Sequence, residues 1–395
     1  MQPLTLTGMA TANPLGLALS ATWEGLRHQR HGLRPNDFED ATVDTWIGRI
    51  DGVETEPLTG VLADYDCRNN RLALLGLRQD GFERAVDIAR RKYGSDRIGV
   101  LIGTTTSGIL ETELAYRQRT AEHPGLPPTA RYQQTQNLFS VSDVVRRCLR
   151  LTGPAASIST ACSSSAKVFA SASRLIEADL CDAVVAGGVD SLCFMTLYGF
   201  ASLGLLSDRP CRPFDANRNG LSIGEAAGFV LLERRWEGDG DILLLGYGES
   251  SDAHHMSTPH PEGQGAAAAM ERALERAGLK PGEIDYVNLH GTGTQANDRA
   301  EDRAIRHIFG DETSCSSTKG ATGHTLGAAG ITEAIIAALC LRQGVMPGTT
   351  HTQQLDPDIQ SRILLTNEYR PLRCVMSNSF GFGGNNCSLI FGRTP

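Results

Sequence analysis

The chain alternates between short apolar runs and longer stretches with helical periodicity. Runs such as RIGVLIG (97–103) and DYVNLHG (285–291) predict strands. The stretches that follow them, such as ETELAYRQRTAEH (111–123) and RAEDRAIRHIF (299–309), favour helices. Alternation of this kind predicts an α/β layered fold.

Three pairs of segments repeat in the same order along the chain. Residues 3–14 resemble 241–252, each a strand that runs into a Gly-containing turn. Residues 97–108 resemble 285–294, each a strand that ends in a Gly/Thr turn. The third pair is 158–188 and 315–345, each a short strand, a small-residue turn and a buried helix.

We therefore predict two similar halves, 1–240 and 241–395, that meet at the polar turn WEGDGD. The first half is the longer one, and insertions are expected at 30–66 and 117–137.

Composition and charge narrow the classes of function. The 395 residues are 41% hydrophobic and 21% charged, which is typical of a globular protein. A net charge of -8 argues against a nucleic-acid partner. The N-terminal residues do not resemble a signal peptide, and no apolar run predicts a membrane span. The ten cysteines form no C-x-x-C pair, as expected of reduced thiols in a cytoplasmic protein.

Cys162 differs in its position from the other cysteines. It lies between a predicted strand (Ala156–Ser159) and a predicted helix from about Ser164 to Ala178. A thiol at a helix N-terminus faces unpaired N–H groups, so we expect a lowered pKa and nucleophilic character. Alternatively, Cys162 is a small buried residue of the core with no chemical role.

Two histidines, His290 and His324, lie in Gly-rich turns after predicted strands, where α/β folds collect functional groups. By the repeat, His324 occupies a turn nearly equivalent to that of Cys162. Packing of the two halves would bring all three side chains to one cleft. Two neutral imidazoles there could each donate an N–H to an enolate or thioester oxygen.

Lys319 and Glu333 flank His324 in an almost uncharged setting. A charge in such surroundings needs a partner, so we expect a buried Lys–Glu pair that fixes His324. Phe380 and Phe382 lie among glycines near the last strand. They are either plain packing or a movable gate whose backbone N–H completes an oxyanion hole.

His254, His255 and His260 lie close together in SDAHHMSTPHPEG. A zinc site would need further ligands at metal spacing, and none accompanies them. We therefore expect a loop here and no metal.

Five motifs together resemble the elongating β-ketoacyl-acyl carrier protein synthases in order and approximate spacing. They are TACSSS (160–165), RPFDANRNG (212–220), LHGTGT (289–294), STKGATGHTLGAAG (317–330) and NSFGFGGNN (378–386). The resemblance runs from the first strand to the last. It implies a thiolase-like fold, a duplicated five-layer α-β-α-β-α sandwich. It also implies decarboxylative Claisen condensation of an enzyme-bound acyl group with malonyl-acyl carrier protein.

The resemblance implies a role for each matching residue. Cys162 would accept the acyl chain, and His290 and His324 would stabilise the thioester enolate. Lys319 and Glu333 would form the supporting pair. The remaining matches are the gate Phe382, with Phe380 beside it, and the pantetheine-binding Thr292 and Thr294.

The resemblance also implies the partners. The acyl groups arrive on the phosphopantetheine arm of an acidic acyl carrier protein, and no further cofactor or metal is required. Arg68 and Arg71, one helical turn apart, are expected to form a docking site for this carrier. A homodimer is usual in the family, and a ketosynthase-like heterodimer is the alternative.

Three departures from the fatty-acid enzymes bear on the pathway. Residues 218–222 replace an Arg-Asp-Gly-Phe run, Asn385 replaces a threonine, and TACSSS with HGTGT resembles polyketide ketosynthases. Primary fatty-acid synthesis and a type II polyene or polyketide system both stay open. A thiolase would place a second cysteine where Phe382 lies. A silent chain-length factor would lack Cys162, although the chain could be the active subunit beside one.

Overall fold

The computed structural model describes residues 1–128, 130–234 and 242–393. The strands are β1 (Leu4–Asn13), β2 (Gly16–Leu17), β3 (Arg34–Pro35), β4 (Trp46–Gly48), β5 (Ile98–Gly103), β6 (Ala155–Ile158), β7 (Ala183–Asp190), β8 (Ile223–Gly224), β9 (Ala226–Arg234), β10 (Ile242–Ser251), β11 (Tyr286–Asn288), β12 (Ser314–Ser316), β13 (Val345–Met346), β14 (Glu368–Tyr369), β15 (Cys374–Gly381) and β16 (Asn385–Arg393). The α-helices are α1 (Ala18–Arg27), α2 (Arg68–Leu77), α3 (Phe82–Tyr93), α4 (Ile109–Arg117), α5 (Phe139–Cys148), α6 (Ser164–Glu177), α7 (Phe194–Ser202), α8 (Gln264–Ala277), α9 (Gln295–Phe309), α10 (Lys319–Thr322) and α11 (Ala329–Gln343).

Two five-stranded units with the same topology form the main sheet. The first has the order β6-β5-β7-β9-β1, and the second has the order β12-β11-β15-β16-β10. In each unit the first three strands are parallel and the last two run antiparallel to their neighbours. The units join where β1 pairs with β10, at Leu4 opposite Leu244.

The three sequence repeats occupy equivalent places in these units. They are the pairs β1 and β10, β5 and β11, and β6 with α6 and β12 with α11. The predicted boundary between 1–240 and 241–395 falls at residues 235–241, outside the described residues. The helix predicted after Cys162 is α6, which ends at Glu177.

Two outer hydrophobic cores and one central core hold the five layers together. Helices α2, α3 and α5 pack on the outer face of the first unit, around Leu72, Phe82 and Phe229. Helices α8 and α9 cover the outer face of the second unit, around Met270 and Ile305. Helices α6 and α11 share the central core with strands of both units. This is the thiolase-like five-layer arrangement that the resemblance implied.

Helix α11 is apolar on every side because it lies in the central layer. Among the described residues, Leu326–Gln343 is the one helical stretch long and apolar enough to cross a membrane. In the fold 89% of that stretch is buried inside the protein. Its composition is therefore explained by packing between the two sheets.

The predicted insertions lie outside the repeated strands. Residues 30–66 contribute β3 and β4, which join β8 in a small separate sheet. Residues 117–137 run from the end of α4 to a π-helical turn at Tyr132–Gln136.

Candidate active site

Cys162 lies in the sharp turn between β6 and α6. Ala161, directly before it, has a left-handed φ of 51°. Ser163 Oγ donates to Thr160 O at 2.9 Å, and Ser164 Oγ donates to Ala161 O at 2.5 Å. These bonds hold the turn in the sharp conformation that places Cys162 just ahead of the helix.

The third serine of TACSSS connects the two central helices. Ser165 Oγ accepts a hydrogen bond from Ile331 N at 2.9 Å. A side chain at Gly330 would reach within 2.4 Å of Ala166 N, so α6 and α11 are in close contact here. The serines therefore have a structural reason to be present, independent of the pathway they suggested.

His324 faces Cys162 from the second half of the chain. It follows α10 after Gly323, whose φ is 70°, and its backbone forms a bridge with Ile223. His324 Nε2 lies 3.0 Å from Cys162 Sγ. The pairing expected from the repeat is therefore present.

Lys319 contacts His290. The sequence had instead led us to expect that it supports His324. It forms a buried ion pair with Glu333, and its Nζ donates to His290 O at 2.5 Å. The same Nζ lies 3.3 Å from His290 Nδ1. The Lys–Glu pair was predicted, but the side chain it fixes was wrong, because β11 places His290 beside α10.

The Lys319 contact selects one tautomer of His290. An ammonium group can only donate, so Nδ1 accepts and Nε2 carries the proton. The ring of His290 lies 5.2 Å from that of His324 and nearly perpendicular to it, at 86°. The Nε2–H of His290 is therefore a hydrogen-bond donor available to a substrate.

Two carboxylates of α9 hold the HGTGT loop, and sequence reasoning missed both. Glu301 accepts hydrogen bonds from the backbone N–H groups of His290 (2.8 Å) and Gly291 (2.7 Å). Asp298 accepts those of Thr292 (3.1 Å) and Gly293 (3.2 Å). The available signal was their spacing of three residues on a helix that begins directly after the loop.

The Gly-rich loop near the C-terminus reaches Cys162 through Phe382. The backbone N–H groups of Phe382 and of Cys162 both donate hydrogen bonds to the Cys162 sulfur and lower the pKa of its thiol. Gly383, next in the loop, has a φ of 75°. The Phe382 ring stacks on Phe200 at 5.5 Å. Phe380 is buried, with its ring 6.1 Å from that of His290.

Burial dominates the electrostatics of the three central groups. It raises the pKa of Cys162 to about 11, against the backbone N–H of Phe382 and the charge of Lys319, which lower it. The lowered thiol pKa expected from the helix N-terminus was therefore wrong. Burial also holds the pKa of His290 and of His324 well below the usual value, and Lys319 lowers both further. The resting site thus contains a neutral thiol and two neutral imidazoles.

A cavity of about 370 Å³ opens onto these groups. Cys162, His290 and His324 all line it, as do Phe380 and Phe382. Its lining includes a polar set of side chains, Asn219, Thr292, Thr294 and Asn297, and an apolar set, Phe200, Leu203, Leu205 and Leu221.

Thr292 and Thr294, the predicted pantetheine-binding residues, both lie on the cavity wall. Their hydroxyl oxygens lie 2.8 Å apart. A chain of amide and hydroxyl groups that enters along this wall can therefore exchange hydrogen bonds with both.

The predicted docking residues are not on an exposed basic surface. Arg68 is 4% exposed, and its guanidinium donates to both carboxylate oxygens of Glu225, at 2.9 and 2.6 Å, and to Glu54. Arg71 is half-buried and paired with Asp66. The prediction was wrong for Arg68, because its charge is used inside the fold.

The thiol and the two imidazoles also have the composition of a metal site. Cys162 Sγ and nitrogens of both histidines lie within 4.8 Å of one another. The ammonium group of Lys319 beside His290 Nδ1 places a positive charge next to this group of side chains. It also keeps the ring proton of His290 on Nε2, so that Nε2 has no free lone pair for a metal ion. This surrounding favours hydrogen bonding to an oxygen over binding of a cation.

The thiolase alternative needs a second reactive cysteine near the loop. Cys387 lies inside β16, fully buried, and burial raises the pKa of its thiol. His254 and His255 are exposed in the loop after β10. Neither feature adds a reactive group to the cavity.

A duplicated thiolase-like fold with a cavity-facing thiol, two neutral imidazoles and backbone donors at the sulfur defines a thiol-dependent condensing enzyme. Comparison with known proteins agrees. Residues 1–237 match the β-ketoacyl synthase N-terminal domain, and 243–353 match its C-terminal domain. The chain therefore belongs to the β-ketoacyl synthase family.

Relatives cover the whole chain. The mitochondrial 3-oxoacyl-[acyl-carrier-protein] synthase of Arabidopsis thaliana is 42% identical over 98% of this chain and 92% of its own length. The 3-oxoacyl-[acyl-carrier-protein] synthase 2 of Rhizobium meliloti is 39% identical over 100% of this chain and 99% of its own. The chain is accordingly a 3-oxoacyl-[acyl-carrier-protein] synthase, an acyl-transferring condensing enzyme.

Solved ketosynthases share the fold closely. A chain of the complex of the ketosynthase ApeO with its chain length factor ApeC from Xenorhabdus doucetiae is 40% identical with a TM-score of 0.90, and the match covers 100% of this chain and 98% of that one. The ishigamide ketosynthase/chain length factor is 28% identical with a TM-score of 0.89, and each chain is covered completely.

Proposed function

We propose that this synthase holds its growing acyl chain on Cys162 and forms the attacking enolate between His290 and His324. The observation that carries the proposal is the contact of 3.0 Å between Cys162 Sγ and His324 Nε2 inside the cavity. The contact of Lys319 with His290 Nδ1 keeps the ring proton on Nε2, and this N–H donor supports formation of the enolate beside His290.

In the first half-reaction, Cys162 Sγ attacks the carbonyl carbon of an acyl thioester on the carrier's phosphopantetheine arm. The thiol proton passes to His324 Nε2 and then to the departing carrier sulfur, which leaves as a neutral thiol. The N–H groups of Cys162 and Phe382 stabilise the tetrahedral oxyanion. The acyl chain remains on the enzyme as a thioester.

In the second half-reaction, malonyl-carrier protein occupies the same cavity. The Nε2–H of His290 donates to its thioester oxygen, which takes up negative charge as CO2 leaves, and His324 donates to the same oxygen in the tautomer that carries its ring proton on Nε2. The enolate carbon attacks the acyl carbon on Cys162. A carbon–carbon bond forms and the carbon–sulfur bond breaks, so that Cys162 leaves as a thiolate and then takes up one proton from the solvent.

The cavity lining fits the two parts of such a substrate. The polar set with Thr292 and Thr294 suits the amide-containing pantetheine arm. The apolar set with Phe200, Leu205 and Leu221 suits an acyl chain. The chemistry uses only these side chains and the carrier-borne thioesters, so we propose that no further cofactor or metal takes part.

The proposal is tested by incubating the purified protein with acyl-carrier proteins of different chain lengths and locating the adduct by mass spectrometry. One acyl group on Cys162 is expected with the preferred length. Cys162→Ala should take up no acyl group while still binding the carrier. An adduct that persists in Cys162→Ala, or none with any chain length, would contradict the proposal.

We place carrier docking at the mouth of the cavity. Arg209 is exposed, and its backbone N–H donates to Ser207 Oγ, which in turn donates to Oδ1 of the cavity residue Asn219. Arg209→Glu should raise KM for carrier-bound substrate and leave kcat nearly unchanged. An unchanged KM would move the docking site elsewhere.

We further propose that the chain works as the active subunit of a heterodimer in a type II polyene or polyketide-like system. Strand β6 is the edge of the sheet and has an unpaired side. Exposed apolar side chains lie on the π-helical turn, on α4 and α7, and at the start of α5, the helix that packs on β6. They are Leu114, Tyr116, Tyr132, Leu138, Phe139, Met195 and Tyr198. Two similar ketosynthases were solved with chain length factors, which favours a ketosynthase-like subunit as the occupant.

Sedimentation and condensation assays test the heterodimer. The chain alone should sediment as a monomer and condense slowly. Addition of a chain-length-factor subunit such as ApeC should produce a two-chain complex with higher activity. A fully active homodimer of the chain alone would contradict the proposal and favour primary fatty-acid synthesis. Cytoplasmic location stays a prediction.

A further inference from the structure

Asp190, the last residue of β7, is fully buried near the active site but is not a lining residue of the cavity. Its Oδ1 accepts hydrogen bonds from Thr105 N (2.6 Å), Thr106 N (2.9 Å), Thr104 Oγ1 (2.9 Å) and Thr106 Oγ1 (3.0 Å). Its Oδ2 accepts from Thr105 Oγ1 (2.5 Å) and Gly327 N (2.6 Å). These six donors are neutral groups.

The donors come from both halves of the chain. Residues 104–106 follow β5 in the first half, whereas Gly327 belongs to the second half. A buried carboxylate is costly unless its oxygens are fully hydrogen-bonded. The bonds of Asp190 satisfy that requirement only while the two halves keep their relative position.

The donors on both sides of the Asp190 carboxylate are connected to reacting side chains. Thr104 N donates to the carbonyl of Ile158, the last residue of β6 before the Cys162 turn. Gly327 follows His324 by three residues. The Asp190 carboxylate therefore connects the turn that contains Cys162 to the segment that contains His324.

The contact at Gly327 leaves no space for a side chain. A Cβ there would lie 2.7 Å from Asp190 Oδ2 and 2.9 Å from Thr105 Cγ2. A methyl group would consequently push the two halves apart at this point without altering any charge. This gives a second way to disturb the same contact.

We propose that Asp190 is a positioning residue whose carboxylate, bonded to Thr104–Thr106 and to Gly327, sets the distance between Cys162 Sγ and His324 Nε2. The inference rests on the proposed function, in which His324 takes the thiol proton. It adds a residue outside the cavity that governs the proton transfer.

Removing the Asp190 carboxylate has two opposite effects on the reactivity of the Cys162 thiol, one through the lost charge and one through the lost positioning of His324. The negative charge of Asp190 is one of the influences that raise the pKa of Cys162. Loss of charge alone would thus make the thiol more reactive. Loss of position removes the proton acceptor His324 from the sulfur and makes the thiol less reactive.

The experiment measures iodoacetamide alkylation of Cys162 at pH 8, located by mass spectrometry, in the intact chain. In Asp190→Asn, the amide cannot accept from every N–H that the carboxylate serves. We expect Asp190→Asn and Gly327→Ala to slow alkylation at least about tenfold, because small misplacements of reacting groups are costly. The condensation kcat should fall likewise, with KM for carrier-bound substrate within about twofold of wild type.

Thr22→Val is the matched control, since it removes the hydroxyl of a buried threonine in α1 that bonds to Asn13 and Ala18, forms no hydrogen bond with Asp190 and does not line the cavity. It should alkylate within about twofold of wild type. A folded Asp190→Asn variant that alkylates at the wild-type rate or faster would overturn the proposal.

Circular dichroism and thermal melting establish that the variants fold. If neither Asp190→Asn nor Gly327→Ala folds, Thr105→Val decides, because it removes only the hydroxyl on Oδ2. Slower alkylation in that variant supports the proposal, and an unchanged rate overturns it. Alkylation needs no acyl substrate, so a wild-type chain that alkylates normally but accepts no acyl group contradicts the proposed function alone.

Discussion

Lys319 Nζ lies 3.3 Å from His290 Nδ1 and also donates to the carbonyl of the same residue. The side chain is 1% exposed and forms a buried ion pair with Glu333. One cation therefore fixes both the ring position and the tautomer of His290. The hydrogen-bond donor that faces the substrate depends on a residue that does not contact the cavity.

Replacing Lys319 with methionine should separate the two half-reactions. The neutral side chain cannot hold His290 Nδ1 as an acceptor, so the Nε2–H donor is lost in part of the molecules. Decarboxylation of malonyl-carrier protein should therefore fall, with a limit on the order of a hundredfold, the usual cost of losing one oxyanion donor in every molecule. Acylation of Cys162, measured by mass spectrometry, should fall much less.

Glu333→Gln is the control for that experiment, since it retains Lys319 and its contacts with His290. It should retain more decarboxylation activity than Lys319→Met. Equal losses in acylation and decarboxylation for Lys319→Met would contradict a role specific to His290.

Alkylation of Cys162 should keep rising with pH well beyond the range of an ordinary thiol. Burial raises the pKa of this thiol from 9.0 to about 11. The thiolate is the reacting form, and its fraction increases about tenfold per pH unit below the pKa. The rate of labelling of Cys162 by iodoacetamide, followed from pH 7 to pH 10, should therefore show no plateau. A plateau near pH 8 would mean that the helix N-terminus outweighs burial.

The repeated pattern in the sequence predicted most of the fold and the central part of the site. Equivalent turns in two similar halves predicted that Cys162 lies opposite His324, since strand order and turn position follow from local periodicity. Long-range partners had no such signal. Glu225 is 157 residues from Arg68 and Asp298 is 80 residues from Arg218, so their ion pairs depend on the packed fold.

The same limitation explains the error about Lys319. Its separation from His324 is five residues, whereas His290 is 29 residues away along the chain. Proximity in sequence favoured the wrong histidine, because the parallel pairing of β11 with β12 brings His290 to the start of α10. Sequence reasoning identified the residue types correctly but not which pairs are in contact.

Gly383→Ala should slow acyl transfer by straining the loop backbone. Gly383 is exposed and has a left-handed φ of 75°. A methyl group there would meet only Asn385 Nδ2, at 3.3 Å. The backbone strain of about 1–2 kcal/mol would displace the neighbouring Phe382 N–H from the sulfur. Acylation of Cys162 should therefore slow roughly 5- to 30-fold.

Gly278→Ala provides a matched control for that variant. Gly278 also has a left-handed φ, of 68°, and no atom within 4 Å of an added Cβ, but it ends α8 away from the loop. This control should lower thermal stability and leave acylation unchanged. Equal acylation rates in both variants would show that the loop conformation at Gly383 does not affect the thiol.

Arg68→Ala should act on stability and not on carrier binding. The guanidinium is held by both oxygens of Glu225, a carboxylate with no exposed surface, and by Glu54. Removing one partner of a buried pair leaves the other charge unpaired, at a cost of about 3–5 kcal/mol. Urea unfolding should show this loss, whereas Arg71→Ala, whose pair with Asp66 is half-exposed, should lose no more than about 1 kcal/mol. If Arg68→Ala were as stable as wild type and instead raised KM for the carrier-bound substrate, the buried assignment of this side chain would be wrong.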